Sequence, residues 1–258
     1  MDDIATGQDN IDYGVAEIQE LLLKTLDEFD SICSKNNIHY SLHGGTLLGA
    51  ERDHHLIPWD DDVDVSMTRE EYEKFRGAVI DISGKYHLDE ETMWFPRFVM
   101  KCENDLAYID ILIWDYISER PLEQKLKITL LRAMQGLMKT HIEYARFGLV
   151  NKFLLWSTHM AGRLFSNKKK HEMFRKEQLR HQGNKQFIHR SNDAFLGVSH
   201  IFDADYMSTY STIELEGKKY QVTSRYHEFL ERNYGPNYLT PPPLSERKPE
   251  HAKFRNDL

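Results

Sequence analysis

Residues 58–67 read PWDDDVDVSM, and this stretch decides the fold. Polar and apolar side chains alternate from Asp62 to Met67, which is the period of a half-buried β-strand. Successive side chains of a strand point to opposite faces, so Asp60, Asp62 and Asp64 are expected to share one face. Four carboxylates within five residues repel one another unless something neutralises them. The stretch therefore predicts a strand whose carboxylate-lined face binds cations.

A third carboxylate for the same site lies further along the chain. Asp110 stands inside the apolar run at residues 108–113, where a lone charge is costly unless it is paired or bound to a metal. An adjacent strand would set Asp110 beside Asp62 and Asp64. Magnesium takes oxygen ligands, and two such ions can clamp the attacking and leaving oxygens of a phosphoryl transfer. Asp115, just beyond the run, is expected to end the strand or to cap a turn.

Two other interpretations of the acidic stretch are weaker. A solvated acidic loop is disfavoured by the apolar residues between and around the aspartates. A calcium-binding loop would use Asp60, Asp62, Asp64 and Glu71 at its positions 1, 3, 5 and 12. Position 6 of such a loop makes a sharp turn that needs glycine, and here it is Val65, which disfavours calcium.

A glycine turn comes before the acidic stretch, at residues 43–49, which read HGGTLLG and follow a short predicted strand. The adjacent Gly44 and Gly45 let the backbone turn tightly and approach a ligand closely. A helix that begins at Thr46 would point free N–H groups at a phosphate. Two glycines alone mark many ordinary turns, but the acidic stretch that follows strengthens the interpretation as a phosphate site.

Two basic side chains, Arg52 and Lys101, are the expected phosphate partners. Arg52 can use the bidentate fork of its guanidinium group. Each of the two suits a surface salt bridge equally well, and the stronger case is that of Arg52.

The remaining pattern predicts an α/β or α+β core with a helical insertion, because helical and strand patterns alternate in the first half of the chain. The insertion is expected where the pattern turns helical and basic. The predicted elements are a helix over 15–32, hairpins over 98–113 and 212–222, and a last helix over 226–233.

Composition excludes several classes of protein. The chain has 258 residues, of which 40% are hydrophobic and 29% charged, and this is typical of a globular protein that buries its own core. Its two cysteines, Cys33 and Cys102, form no zinc motif and indicate a reducing compartment. The acidic start is unlike a signal peptide, and no apolar stretch is long enough to span a membrane. We therefore expect a cytoplasmic protein.

Charge is distributed unevenly along the chain. The net charge of −8 disfavours general nucleic-acid binding, yet residues 119–190 hold 16 Lys and Arg against five Glu, a net charge of +11. The other residues therefore carry −19. This division predicts a surface for an anionic partner such as the inner face of a membrane, although lysines on the wet faces of helices explain it equally well.

The stretch at residues 40–75, YSLHGGTLLGAERDHHLIPWDDDVDVSMTREEYEKF, resembles the signature of the LicD family, which belongs to the nucleotidyltransferase-fold superfamily. Asp110 stands where the third acidic strand of that family is expected. Near the end, residues 232–242, RNYGPNYLTPP, are similar to the closing element of the family. The resemblance covers nearly the whole chain and implies a mixed β-sheet core flanked by helices.

Members of this family transfer phosphocholine, or related phospho-alcohols and phospho-sugars, from a CDP-linked donor to hydroxyls of cell-surface glycans such as teichoic acid, lipopolysaccharide or capsule. The resemblance therefore implies a metal-dependent phosphotransferase that uses Mg²⁺ or Mn²⁺, takes CDP-choline or another CDP-alcohol, modifies a glycan or lipid-linked glycan, and releases CMP. Two alternatives stay open: a nucleotidyltransferase that leaves the nucleotide on its acceptor, and a calcium- or glycan-binding module without catalysis.

Carried over by position, the resemblance assigns the metal and catalytic roles to Asp62, Asp64 and Asp110, with Asp60 as a further candidate ligand. Together with Lys101, the residues expected to hold the donor and its phosphates are Gly44, Gly45, Thr46, Arg52, Tyr234, Gly235 and Tyr238. His43 and residues 53–55 are less typical of the family. We expect a catalytic core with an N-terminal helix over residues 1–118, a basic helical insertion over 119–190, and a C-terminal part over 191–258 that completes the active site.

Overall fold

The computed structural model describes residues 13–80, 84–101, 107–139 and 157–249. Cys102, residues 1–12, residues 103–105 between the strands of the first predicted hairpin, and part of the basic insertion, 140–156, lie outside the described residues. The helices named below are α1 Ala16–Lys35, α2 Gly44–Asp53, α3 Arg69–Ile80, α4 Pro121–Met138, α5 Asn167–Gln178 and α6 Tyr226–Tyr234. The strands are β1 Ser41–Leu42, β2 Val63–Thr68, β3 Tyr86–Asp89, β4 Arg97–Met100, β5 Tyr108–Ile117, β6 Phe187–Arg190, β7 Ile201–Asp203, β8 Tyr210–Leu215 and β9 Lys218–Thr223.

A mixed sheet forms the centre of the protein, as expected for an α+β fold. Its strand order is β1-β2-β5-β4-β3, and β6 and β7 continue it from β5. The two central strands, β2 and β5, are parallel, and the other described pairings in this sheet are antiparallel. Strands β8 and β9 form a separate hairpin around Gly217, which has a φ of +71°. Both hairpins and the first and last helices predicted from the sequence are confirmed.

Strand β5 has two partners on the edge that faces away from β2. Its first residues pair with β4, and its last residues pair with β6. The side chain of Asn192 bridges the interval between them, because its Oδ1 accepts a hydrogen bond from Ile113 N (2.7 Å) and its Nδ2 donates to Ile111 O (2.9 Å). Asn192 is fully buried. Its amide satisfies backbone groups that would otherwise be buried without a partner.

A large part of the hydrophobic core lies under one face of the sheet. Phe29 of α1, Phe75 of α3 and Phe98 of β4 are fully buried and contact one another, with ring centroids 4.6 to 5.9 Å apart. Such aromatic pairs contribute roughly 0.5–1.5 kcal/mol each beyond the burial of their area. The odd-numbered residues of β2 point into this core, and the acidic residue Asp64 therefore points to the opposite face.

A buried ionic network corrects one expectation from the sequence. Asp115 lies within β5 and is fully buried, so the prediction that it ends the strand or caps a turn is wrong. Its carboxylate accepts hydrogen bonds from Arg69 Nε (2.9 Å), Arg69 Nη2 (2.6 Å), Gln182 Nε2 (2.8 Å) and Ser191 Oγ (2.5 Å). These partners come from α3 and from residues 182–191, so no local pattern around Asp115 announces them.

A buried lysine holds the basic helices against the sheet. Lys127 of α4 donates hydrogen bonds to the carbonyl oxygens of Tyr116, Gln178 and Arg180, at 2.7 to 2.8 Å. Burial lowers the pKa of Lys127 to about 8, although Asp115 and Glu177 act in the opposite direction. The last four residues of the range 119–190 form β6 and belong to the central sheet. Within the described ranges, every helix is too short or too polar to traverse a lipid bilayer.

Candidate active site

Three carboxylates meet on the face of the sheet opposite Phe29, Phe75 and Phe98. The parallel register of β2 and β5 sets Asp64 directly beside Asp110, and Asp62 immediately precedes β2. One carboxylate oxygen from each of the three residues lies within 4.8 Å of the others. Among the described residues this is the group of side chains that could hold a metal ion. The expected juxtaposition is present, whereas the metal-binding role of these residues stays a prediction.

Negative charge is crowded around Asp64. Burial raises the pKa of Asp64 well above its ordinary value, and the neighbouring carboxylates Asp62, Asp110, Asp60 and Asp193 raise it further. Like charges this close are stabilised by a cation. An oxygen-coordinated divalent ion fits this set of donors, because carboxylates are the ligands that Mg²⁺ and Mn²⁺ prefer.

Helix α2 is anchored directly to the acidic strand. His43 N donates to Asp64 O (3.0 Å), and Thr46 Oγ1 accepts a hydrogen bond from Asp64 N (3.0 Å). The helix begins at Gly44 instead of at Thr46 as expected. The first N–H groups of a helix have no partner within the helix and carry its positive end. The structure therefore brings this positive end next to the carboxylates.

The two glycines of the turn make room for those carboxylates. A Cβ atom on Gly44 would fall far inside van der Waals contact of Asp64 Oδ2, and one on Gly45 would do the same with Asp60 Oδ2. Gly44 also has a φ of +56°, which favours glycine. The sequence predicted that the glycines admit a ligand, and in the structure they also admit Asp60 and Asp64. Asp60 faces Gly45 and is not part of the group formed by the other three carboxylates.

A cleft of about 370 Å³ opens beside this turn. Trp59 lines this cleft together with five of the residues that were expected to bind the donor or the metal. These five are Gly45, Arg52, Asp60, Tyr234 and Tyr238. Arg52 lies in the wall and forms an ion pair with its neighbour Asp53 at 2.7 Å. The far wall is made by residues 240–248, after the last helix. The cleft is thus lined by residues as far apart in sequence as Gly45 and Lys248.

The closing element of the chain turns into this cleft at Gly235. Gly235 follows α6 with a φ of +84° and ends the helix. Tyr234 lines the cleft together with Asp60, and burial and then the charges of Asp64 and Asp60 raise the pKa of its phenol. The Tyr238 hydroxyl is 2.9 Å from Nδ1 of His227. The structure therefore brings the C-terminal candidates to the acidic stretch.

Lys101 does not lie beside the acidic group. The basic residue of β4 that lies there is Arg97. Lys101 is exposed and follows the end of β4, four residues beyond the residue that pairs with Asp110. That residue is Arg97, whose Nε donates to Asp110 Oδ1 at 2.8 Å. The guanidinium of Arg97 also stacks on the Tyr108 ring at 4.0 Å. Arg97 could have been found from the sequence by pairing the residues of the predicted hairpin outward from its turn until Asp110 meets its cross-strand partner.

A second buried guanidinium lies behind the glycine turn. Arg190 of β6 is 1% exposed, and its Nη1 lies 2.5 Å from Nε2 of His43. Its Nε is 2.9 Å from Asp193 Oδ2. Burial and the charge of Arg190 lower the pKa of His43 well below its ordinary value, so the imidazole is neutral. Arg190 and Asp193 were not predicted from the sequence, since no motif links Arg190 to His43, 147 residues earlier.

The geometry also disfavours a calcium loop. Residues 63–68 form a strand in place of the turn that such a loop requires. The carboxylate of Glu71 accepts hydrogen bonds from His39 N (2.8 Å) and Lys74 Nζ (2.8 Å), so it is engaged elsewhere.

Comparison with known proteins agrees with this geometry. Over 92% of its length this chain is 29% identical to the lipopolysaccharide cholinephosphotransferase LicD of Haemophilus influenzae, 96% of which is covered. An uncharacterized protein of Rickettsia prowazekii is 29% identical over 38% of this chain and 40% of its own length. Another, from Rickettsia typhi, is 38% identical over 23% of this chain and 19% of its own length. Residues 37–222, which hold the glycine turn and all three acidic residues, match the family model described as the LicD/FKTN/FKRP nucleotidyltransferase domain. The chain therefore belongs to the LicD/FKTN/FKRP nucleotidyltransferase-domain family.

Proposed function

We propose that this protein is a metal-dependent phosphotransferase that moves phosphocholine, or a related phospho-alcohol, from a CDP-linked donor to a hydroxyl of a cell-surface glycan. The observation that carries the proposal is the group formed by Asp62, Asp64 and Asp110 beside the first turn of α2. The relative from Haemophilus influenzae, a lipopolysaccharide cholinephosphotransferase, supports the choice of phosphocholine and of a glycan acceptor. Teichoic acid and capsule are further candidate acceptors of the same chemistry.

The donor is proposed to bind in the cleft between the glycine turn and residues 240–248. The N–H groups at the start of α2 and the guanidinium of Arg52 face phosphate charge there. Trp59, Tyr234 and Tyr238 present aromatic surface in the same cleft. Aromatic faces attract a quaternary ammonium group through their quadrupoles, and cytosine can stack on them. We assign neither end of the donor to an individual ring.

Asp62, Asp64 and Asp110 would hold Mg²⁺ or Mn²⁺, which would offset the charge of the donor pyrophosphate when bound. Arg97 holds the Asp110 carboxylate in place through its 2.8 Å hydrogen bond. The acceptor oxygen attacks the phosphorus on the alcohol side of the donor and forms a new P–O bond. The P–O bond to the bridging oxygen breaks, CMP leaves, and a carboxylate of the site, in our assignment Asp110, receives the hydroxyl proton. Positioning and electrostatic stabilisation supply most of the rate in such transfers.

A donor screen tests this proposal directly. The purified protein is incubated with Mg²⁺, a glycan acceptor and each of CDP-choline, CDP-ethanolamine, CDP-glycerol and CDP-ribitol, and free CMP is measured together with the mass of the acceptor. We expect CMP release, with CDP-choline as the preferred donor, and an acceptor heavier by one phosphocholine. Pyrophosphate release from CTP with a CMP-modified acceptor would support the nucleotidyltransferase alternative instead. Tight metal binding without turnover of any donor would support a non-catalytic binding module.

The glycine turn gives a second test of the same site. In Gly45→Ala the new Cβ would collide with Asp60 Oδ2, so the Asp60 side chain must shift from its place in the cleft wall. Gly45 does not have a positive φ, so the backbone tolerates alanine and the protein should fold normally. We expect the turnover per KM for the donor to fall roughly tenfold to a hundredfold, as for other small misplacements in active sites.

The matched control for that variant is Gly77→Ala in α3, where a Cβ meets nothing within 4 Å. It should leave donor turnover unchanged and raise stability by about 0.5–1 kcal/mol, since alanine is the better helix former. Unchanged kinetics in Gly45→Ala would show that Asp60 and the turn do not contribute to the donor site.

A further inference from the structure

A turn in the basic insertion exposes apolar side chains between cations. Residues 160–170, here called the basic–apolar turn, read MAGRLFSNKKK. Leu164 is 82% exposed, and Met160 and Phe165 are 42% and 41% exposed. Arg163 lies next to them, and Lys168, Lys169 and Lys170 follow at the start of α5. No carboxylate interrupts these 11 residues.

The backbone holds these side chains outward. Three consecutive N–H groups, those of Arg163, Leu164 and Phe165, donate to the carbonyl oxygens three residues earlier. Ser166 caps α5 by accepting a hydrogen bond from Lys169 N. Within the turn, Gly162 packs so closely on the backbone of α4 that a Cβ would collide with Leu137 O. Leu164 and Phe165 are therefore exposed on a turn whose backbone is held by hydrogen bonds.

Single exposed apolar residues are normal on soluble proteins and need no explanation. Ile80, 77% exposed at the end of α3, is an example outside this turn. Three apolar side chains grouped with four cations are a different arrangement. Lysine stems can lie along an apolar surface while their ammonium groups reach an anionic layer. Apolar residues flanked by Lys and Arg are the composition that binds the interface of anionic membranes.

We propose that the basic–apolar turn docks this protein on the surface of an anionic lipid membrane. Leu164, Phe165 and Met160 enter the boundary between headgroups and acyl chains, and the four cations contact lipid phosphates. The net charge of +11 over residues 119–190 complements such a surface, although Lys127 and Arg190 are buried and do not contribute to it, whereas the net charge of −19 elsewhere is repelled. This contrast orients the protein, with the insertion toward the membrane.

A cavity separates the turn from residues that neighbour the acidic group. Asn167 and Lys168 line a cavity of about 210 Å³, and its other wall includes Phe95 and Pro96. The guanidinium of Arg97 lies 5.2 Å from the centre of the Phe95 ring, and it binds Asp110. Docking through the turn would place a lipid-linked acceptor on this side of the molecule, a consequence that rests on the proposed function.

The test is co-sedimentation of the full chain with sucrose-loaded vesicles, without any donor. We expect binding to phosphatidylcholine vesicles that contain 30% phosphatidylglycerol, weak binding to pure phosphatidylcholine, and loss of most binding in high salt. Leu164→Ser with Phe165→Ser should weaken partitioning by about tenfold or more. Replacing the three lysines by glutamine should weaken it by roughly fivefold for each lysine removed.

Ile80→Ser is the matched control, since it removes an equally exposed apolar side chain elsewhere, and it should bind vesicles as the unaltered protein does. Light scattering of the same samples monitors self-association. Equal binding by all variants, equal binding to neutral vesicles, or a dimer that only the Leu164/Phe165 variant disrupts would each overturn the proposal. CMP release with a short soluble acceptor is measured separately, so a failure of docking is distinguishable from a failure of the proposed activity.

Discussion

Asp64→Asn is expected to lower donor turnover on the order of 10²–10³-fold or more, as removal of a group that stabilises transition-state charge does elsewhere. Asp64 is the central member of the acidic group: it pairs with Asp110 in the sheet, and both backbone groups of Asp64 are bonded to the glycine turn. Asparagine keeps the shape and these backbone bonds, so the loss would come from the missing charge. CMP release under saturating Mg²⁺ measures it.

The same variant should change stability in the opposite direction. In the absence of metal the Asp64 carboxylate is crowded by four other carboxylates, so replacing it by a neutral amide removes repulsion. We expect the Tm in EDTA to rise or stay constant, and the stabilisation of the unaltered protein by Mg²⁺ to be lost. Asp203→Asn, which neutralises an exposed carboxylate of β7, is the control and should change neither property. Near-normal turnover in Asp64→Asn would refute the assigned site.

Asp115→Asn should destabilise the fold by about 3–5 kcal/mol, the usual effect of removing one partner of a buried ion pair. The amide would present donors where Arg69, Gln182 and Ser191 all donate to Asp115. Arg69 would then keep a mostly buried charge without its counterion. Urea unfolding followed by circular dichroism measures the effect. Asp205→Asn, which removes an exposed partner of Arg225, should cost about 1 kcal/mol or less.

The lowered pKa of Asp115 also predicts how the difference in the free energy of unfolding between the unaltered protein and Asp115→Asn changes with pH. Burial alone would raise the pKa of Asp115, but the charge and hydrogen bonds of Arg69 and the hydrogen bond of Ser191 outweigh it, and the pKa lies below its ordinary value. A carboxyl whose pKa is lowered by folding stabilises the protein above the unfolded pKa of about 3.9 and loses that contribution as the pH falls through the folded value. The gap between the unaltered protein and Asp115→Asn should therefore be constant near neutrality and shrink below about pH 4. A gap that widens in acid would contradict this account.

Local sequence patterns predicted much of the fold and the residues at the centre of the candidate site. The alternation around Asp64 predicted β2, and the cost of a lone charge in an apolar run singled out Asp110 as its neighbour. The hairpins and the last helix followed from turn residues such as Gly217 and Gly235, whose positive φ values the structure shows. These features depend on residues that are close in sequence or on the periodicity of a single element.

Long-range contacts could not be predicted in the same way. Asp115 was expected to end the strand because it stands just beyond an apolar run. The four hydrogen bonds that its buried carboxylate accepts come from Arg69 and from residues 182–191, which are distant in sequence. Arg190 and His43 meet across 147 residues, and neither carries a local signal. Burial of a charge is set by the tertiary structure, so a sequence pattern indicates its cost without naming its partner.

The entry and exit of the basic helices have a consequence for how such proteins diversify. The chain leaves the sheet after Ile117 and returns at Phe187, and these two residues are direct cross-strand partners. A segment whose ends are neighbours in one ladder can be lengthened, shortened or exchanged at little entropic cost, because loop closure depends only logarithmically on length. The strands that carry Asp64 and Asp110 keep their register whatever is grafted between these two positions. The segment between these two residues can therefore vary among related proteins while the strands that hold the acidic group stay the same.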